Sequence, residues 1–210
     1  MGLGSLLGSN PAAFIVLAGI ILYSVIFHEV AHGWVARLFG DDTAWRNGRL
    51  TLNPLAHLDP IGTLMLFLVG FGWARPVPVD YASFSNRRFG LFAVALAGCA
   101  TNVLIASLAL FLLQLDFASA NSALSVILPV VVRINIILGA FNLIPIPPLD
   151  GSRILMSFLP ENAQENLSRI EPYGFFILAF LLFTGLLDPL IVFMQNLIYG
   201  FITAVFTFFK

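Results

Sequence analysis

Long apolar runs set the terms for this chain. Ala12–Phe39, Phe89–Leu115, Ala123–Ile144 and Leu190–Phe209 each carry few charges over a length that a helix needs to cross a membrane, about 20 residues for a hydrocarbon core of about 30 Å. Hydrophobic residues make up 59% of the sequence and charged residues 10%, where a soluble domain carries roughly 25% charged. Water would not solvate such a surface, so the lipid bilayer is the expected environment. In lipid each backbone N–H and C=O must be satisfied within its own segment, which favours helices.

The remaining segments complete an all-α polytopic membrane protein. Tyr173–Leu187 is short but spans if extended at its N-terminal end. Ile61–Trp73 would be roughly 20 Å long as a helix, too short to cross, and is expected to be re-entrant or interfacial. Pro145–Leu149 holds three prolines and cannot be regular helix. Glu161–Glu171 reads as an exposed polar connector, and Asp188-Pro189 as a turn. The N-terminus lacks the basic start and small-residue cleavage site of a secretory signal, so the first run is expected to be a retained helix. The expectation is about five spanning helices plus a short re-entrant hairpin, in a single transmembrane domain over residues 1–210.

Charge placement orients this bundle. Arg37, Arg46, Arg49, Arg75, Arg87 and Arg88 flank the end of the first helix or the short hairpin, while Asp116–Ser122 has no Lys or Arg. Five spans with the N-terminus outside put these arginines, Arg153, Arg169 and Lys210 in the cytoplasm, in accord with the positive-inside rule. The net charge of -1 gives no electrostatic case for nucleic acid. One cysteine, Cys99, excludes an internal disulfide and is expected to be a small buried hydrophobe.

The chemistry starts within the first span. His28-Glu29-Val30-Ala31-His32 is an H-E-x-x-H sequence. On a helix, positions i and i+4 share a face, so both imidazoles reach one zinc ion, and Glu29 stands beside them as general base for a water. The alternative is a polar accident on a helix. It is weakened here because ionisable groups in a span are costly and need a compensating partner.

Catalytic zinc takes three protein ligands and keeps a position for water. His57, the one other histidine, lies in a turn-rich loop, Asn53–Pro60. Asp150 follows the broken helix Asn142-Leu143-Ile144-Pro145-Ile146-Pro147-Pro148-Leu149, and irregular backbone at membrane depth must be buried or line a wet cavity. Spacing leaves Asp150 evenly divided between metal ligand and helix N-cap. Asn102, an amide in an apolar helix, needs a partner: either the active site or a neighbouring helix. Arg133, near the middle of a span, is expected to face the bundle or snorkel, pairing with Asp116 or helix ends.

Taken in order, these motifs resemble the site-2 proteases, a family of intramembrane zinc metalloproteases. HEVAH on the first helix is one part of the match. FNLIPIPPLDG is similar to the family's Asn-Pro-Asp-Gly signature, and Gly98-Cys99-Ala100-Thr101-Asn102 to its G-P-x-x-N pattern, with Cys99 where proline is usual. NGRLTLNPLAHLDPIGT and GWARPVPV look like the compact bacterial branch, which lacks peptide-binding and nucleotide-binding regulatory domains. The resemblance covers most of Tyr23–Arg153.

The resemblance implies His28, His32 and Asp150 as zinc ligands, Glu29 as catalytic base, and Asn102 facing the active site to stabilise oxyanion or substrate. It implies a multi-pass protein of the cell membrane, active toward the cytoplasmic side on a transmembrane protein or peptide substrate. It also suggests that substrate pairs with a strand edge. Arg49–Asn53 and Ala74–Val79 are expected to form such short strands near the active site, since Pro76 and Pro78 suit an edge. Two other readings stand beside it: a zinc-dependent lipid hydrolase, and a non-catalytic binding protein or metal transporter. The presence of Glu29 speaks against the last, because a structural zinc site is closed by four ligands and needs no base. Substrate identity and oligomeric state are not encoded in any motif.

Overall fold

The computed structural model describes residues 8–69 and 74–208. In chain order they form α1 (Pro11–Leu38), a short α2 (Thr43–Arg46), α3 (Pro60–Val69), α4 (Arg87–Leu113), α5 (Asp116–Ala120), α6 (Ser122–Asn142), α7 (Asp150–Phe158), α8 (Glu161–Phe183) and α9 (Asp188–Phe208). Five of these, α1, α4, α6, α8 and α9, are long and apolar enough to cross a membrane. No strand forms among the described residues. The protein is an all-α polytopic membrane protein.

Helix starts follow from side chains that accept the first free N–H groups. Asn10 caps α1 through Ala13 N at 3.1 Å, with Pro11 in the first turn. Asn86 caps α4 through Phe89 N at 3.1 Å. Asn121 caps α6 through the N–H groups of Ala123 and Leu124. The large apolar side chains left outside, such as Leu104 on α4, Phe176 and Phe183 on α8 and Phe201 on α9, are the surface that lipid covers.

Helix α4 is the centre of the bundle and packs on α1, α6 and α7. Its buried face is made of small residues, including Ala95, Ala97, Gly98, Cys99, Ala106 and Ala109. Small side chains let helices approach closely, which matters in lipid because packing rather than the hydrophobic effect holds helices together. Ala106 and Ala109 meet Val132, Ile136 and Ala140 of α6 and Ile198 and Ile202 of α9 in one core cluster. A second cluster joins Leu178 of α8 to Ile144 and Leu149 beside the proline-rich break.

The structure departs from expectation in four places. Glu161–Glu171 is not a separate connector: it is the first half of α8, with Glu161 in its first turn and Pro172 inside it. The segment stays helical because its polar groups face outward and one proline removes only one N–H. Asp116–Ala120, within the Asp116–Ser122 segment read as a loop between spans, forms α5. Of the segment expected to be re-entrant, Pro60–Val69 forms α3, whose ten residues reach only about 15 Å; residues 70–73 lie outside the described residues, as does Lys210.

The third departure concerns the two short strands. Arg49–Asn53 and Ala74–Val79 do not pair. A single antiparallel bridge joins Leu58 to Ala74, Arg75 N donates to His57 O at 2.8 Å, and the Arg49 guanidinium donates to Arg75 O at 2.7 Å. Pro76 and Pro78 have no N–H to give to a ladder, and the N–H between them is directed elsewhere. The fourth is Arg133, which is exposed on α6 and makes no ion pair or hydrogen bond with Asp116 or any other described residue.

Candidate metal centre

His28, Glu29 and His32 stand on the second half of α1, with both histidines buried. The end of helix α6 and the proline-rich turn after it bring α7 back against them. Gly151 makes this return possible: a Cβ there would strike the carbonyls of Leu143 and Ile144. Asp150 opens α7, but its side chain makes no capping bond. Its Oδ2 lies 3.0 Å from His28 Nε2 and 3.3 Å from His32 Nε2. Tertiary structure thus turns the carboxylate to the histidines and away from the helix N-terminus.

Ring nitrogens on the far side fix the tautomers. His32 Nδ1 is 2.7 Å from Val94 O. A carbonyl only accepts, so Nδ1 carries hydrogen and Nε2 of the neutral ring presents a lone pair. His28 Nδ1 is 2.7 Å from Asn102 Oδ1. The Asn102 amide nitrogen donates to Asn135 Oδ1 at 2.9 Å and lies 3.5 Å from Ser24 O, which leaves its oxygen to accept from His28. Asn135 in turn donates to Ser24 Oγ at 3.0 Å and to Val131 O at 2.9 Å. A buried polar network therefore runs from α1 through α4 to α6 behind the ligand His28.

The donor atoms of His28, His32 and Asp150 lie within 4.8 Å of one another. Two nitrogens and one carboxylate oxygen, converging without hydrogens between them, repel unless a cation sits among them. Nitrogen and oxygen donors of this kind suit zinc, and three ligands leave a position open. Gly98 shows the same space from the other side. A Cβ there would lie 2.5 Å from His28 Nε2 and 2.6 Å from His32 Nε2, so any side chain would intrude on the metal position. Cys99 is buried beside it, with Sγ 4.0 Å from Asp150 Oδ2.

Glu29 does not join the ligand group. Its Oε2 accepts the backbone N–H of Val77 at 2.9 Å. Val77 is held there from three directions. Its side chain packs on Gly33, where an added Cβ would come within 3.0 Å of Val77 Cγ1 and 2.5 Å of Leu50 Cδ2. Before it, Arg75 is bonded to His57 O; after it, Asp80 N donates to the buried Asp41 at 2.7 Å.

His57 has a different task from the one left open by its residue type. It is fully buried, and Nε2 donates to Thr51 O at 2.8 Å, so it stitches the polar loop together and is not among the grouped donors. One turn after Asp150, Arg153 pairs with Glu171 of α8 and lies over the Tyr81 ring at 4.8 Å. This clamp fixes α7 laterally. Burial pushes the Tyr81 hydroxyl above its ordinary range, with Arg153 working in the opposite direction.

Reading the sequence alone did not find the roles of Ser24 and Asn135, the Val94 carbonyl, or the bond from Val77, which it placed on a substrate-facing edge, to Glu29. The first two carried a signal, as polar side chains within apolar runs. The last two act through backbone atoms, which residue type does not report.

A buried H-E-x-x-H helix that meets a distant carboxylate as third candidate ligand, inside a bundle of apolar helices, is the arrangement that a metallohydrolase centre requires. The comparisons with known proteins agree. Residues 114–185 match the family described as Peptidase family M50. The chain is 40% identical over 173 residues to "Putative zinc metalloprotease YwhC" of Bacillus subtilis, covering 79% of each chain. It is 30% identical over 185 residues to "Putative zinc metalloprotease Rip2" of Mycolicibacterium smegmatis, covering 86% of this chain and 71% of that one. It is 26% identical over 151 residues to "Zinc metalloprotease MJ0392" of Methanocaldococcus jannaschii, covering 72% of this chain and 36% of that one. No solved structure matches significantly. The chain belongs to peptidase family M50 and is a metalloprotease.

Proposed function

We propose that the protein is an intramembrane zinc protease that hydrolyses peptide bonds of membrane-spanning substrates. The observation that carries this reading is the placement of Glu29. Its carboxylate stands on the same helix as two ligand histidines, outside the ligand group, and is held by a backbone N–H from a separate segment. A purely structural metal site has no use for such a group.

His28, His32 and Asp150 would hold the zinc. When bound, zinc polarises the scissile carbonyl and makes a neighbouring water acidic near neutral pH. Glu29 takes the proton from the attacking water and returns it to the leaving amine. Asn102 acts on His28: with its oxygen on Nδ1 and its nitrogen on Asn135, it orients the ring from behind, and its amide is not free for an oxyanion. Such outer partners set ligand orientation and basicity.

A substrate helix hides its backbone in hydrogen bonds, so it must unwind locally before cleavage. The extended Ala74–Val79 segment lies beside the centre and is not saturated by a ladder, which supports a role in receiving an unwound substrate strand. The arginines on the hairpin side support a cytoplasmic location for the centre.

The test pairs metal content with cleavage of a transmembrane peptide by the protein reconstituted in vesicles. Glu29→Gln is expected to keep one zinc per chain and to lose cleavage by about 10²-fold or more. His28→Ala and Asp150→Ala lose both. A Glu29→Gln protein that cleaves at the wild-type rate sinks the reading, as does a wild type that cleaves a lipid ester and no peptide.

A further inference from the structure

Away from the metal centre, the flank formed by α4, α6 and α9 carries an open groove of about 330 Å³. Its apolar walls include Leu110, Pro129 and Ile136, but Arg133 of α6 and Gln195, Asn196 and Tyr199 of α9 also line it. Among the described residues, none of these four polar side chains makes a hydrogen bond or ion pair. Arg133 and Asn196 are exposed, and so is Tyr199 at 51%.

Depth makes this arrangement costly. Arg133 lies roughly 16 Å from Ser122 and 14 Å from Asn142 along the α6 axis, at about 1.5 Å per residue. Gln195–Tyr199 occupy the middle third of α9. A guanidinium at mid-span cannot reach headgroups at either end, and lipid tails offer no acceptor. Charged and amide groups at this depth pair with one another, with backbone or with a functional partner. Here the described residues supply none.

We propose that this groove is a docking site for a membrane-spanning helix of another protein that carries an aspartate or glutamate at mid-depth. Arg133 meets the carboxylate, and Gln195, Asn196 and Tyr199 supply hydrogen bonds around it. A phosphate headgroup is excluded by depth. A second copy of this chain is excluded by its own carboxylates. Glu29 stands beside the metal ligands, Glu171 is paired with Arg153, and the other acids of the spans lie in the first two turns of α8 and α9. A charge-assisted pair is strong and geometrically specific, so the site selects its partner by one residue. The inference stands apart from the protease reading, since no metal-centre residue lines the groove.

The test uses three labelled leucine-rich transmembrane peptides that differ at the central position only, with Asp, Asn or Leu. Energy transfer to the full-length protein is measured in zwitterionic vesicles. The Asp peptide is expected to associate about tenfold or more tightly than the Leu peptide, with Asn between them. Arg133→Gln removes the Asp preference while retaining its zinc, and Tyr199→Phe weakens it. Equal association of Asp and Leu peptides with the wild type overturns the proposal, as does an Asp preference that survives Arg133→Gln. Loss of the Asp preference when anionic lipid is added overturns the helix as occupant and assigns the groove to lipid.

Discussion

The backbone N–H of Val77 donates to the Glu29 carboxylate at 2.9 Å, across 48 residues of sequence. Pro76 and Pro78 flank this donor, so it is the one N–H that the three-residue stretch can offer. Under the proposed function, the carboxylate that takes the proton is thereby oriented by the same segment proposed to receive substrate.

Val77→Pro removes this donor and keeps the segment extended, because residues next to proline favour extended backbone. A hydrogen bond to a charged group contributes about 1.5–3 kcal/mol. The expected result is a fall in kcat of roughly 10- to 100-fold with KM and zinc content little changed. Val77→Ala keeps the N–H and should stay close to wild type. Steady-state cleavage of a transmembrane peptide checks this; equal effects of Pro and Ala would assign Val77 to packing alone.

Gly98→Ala places a methyl group against both ligand nitrogens, 2.5 Å and 2.6 Å away. The backbone there is helical, so the helix itself tolerates alanine. Zinc affinity is expected to drop about 10-fold or more while unfolding in detergent shifts little. Metal titration followed by elemental analysis measures it. Full zinc in the alanine protein would show that the histidines can withdraw.

His57→Ala should keep zinc, whereas Asp150→Ala should lose it. The His57 ring bonds Thr51 O within the loop, and its loss costs about 1 kcal/mol of stability with no change at the metal. Zinc lost from His57→Ala and kept by Asp150→Ala would reverse this assignment.

Asn135→Leu leaves the Asn102 amide nitrogen without its main acceptor and Ser24 without a donor. An unsatisfied buried group costs about 1–3 kcal/mol. Thermal unfolding in detergent should show a clear drop, and zinc affinity should fall because Asn102 no longer holds its orientation on His28. Unchanged zinc affinity in a destabilised protein would confine the network to a structural role.

Much of the fold is legible in the sequence. The apolar runs that became α1, α4, α6 and α9 were readable because a bilayer demands a minimum length and tolerates few charges. The pair His28 and His32 was readable because helical periodicity fixes the i, i+4 relationship within a single turn. Glu161–Glu171 was misjudged because its composition is polar, whereas its helical state comes from continuity with the span that follows.

Sequence by itself determined a membrane bundle with an H-E-x-x-H helix inside it. Only the tertiary structure decided that Asp150 turns to His28 and His32 and that His57 turns to Thr51. It also set Asn102 behind the His28 ring, brought Val77 to Glu29 and left Arg133 without a hydrogen-bond or ion-pair partner among the described residues. The physical reason is range. Periodicity and bilayer length act through neighbours along the chain, and residue types record them. Which distant groups meet depends on how close α1, α4, α6 and α7 can pack, and on where a backbone N–H or carbonyl points once they have.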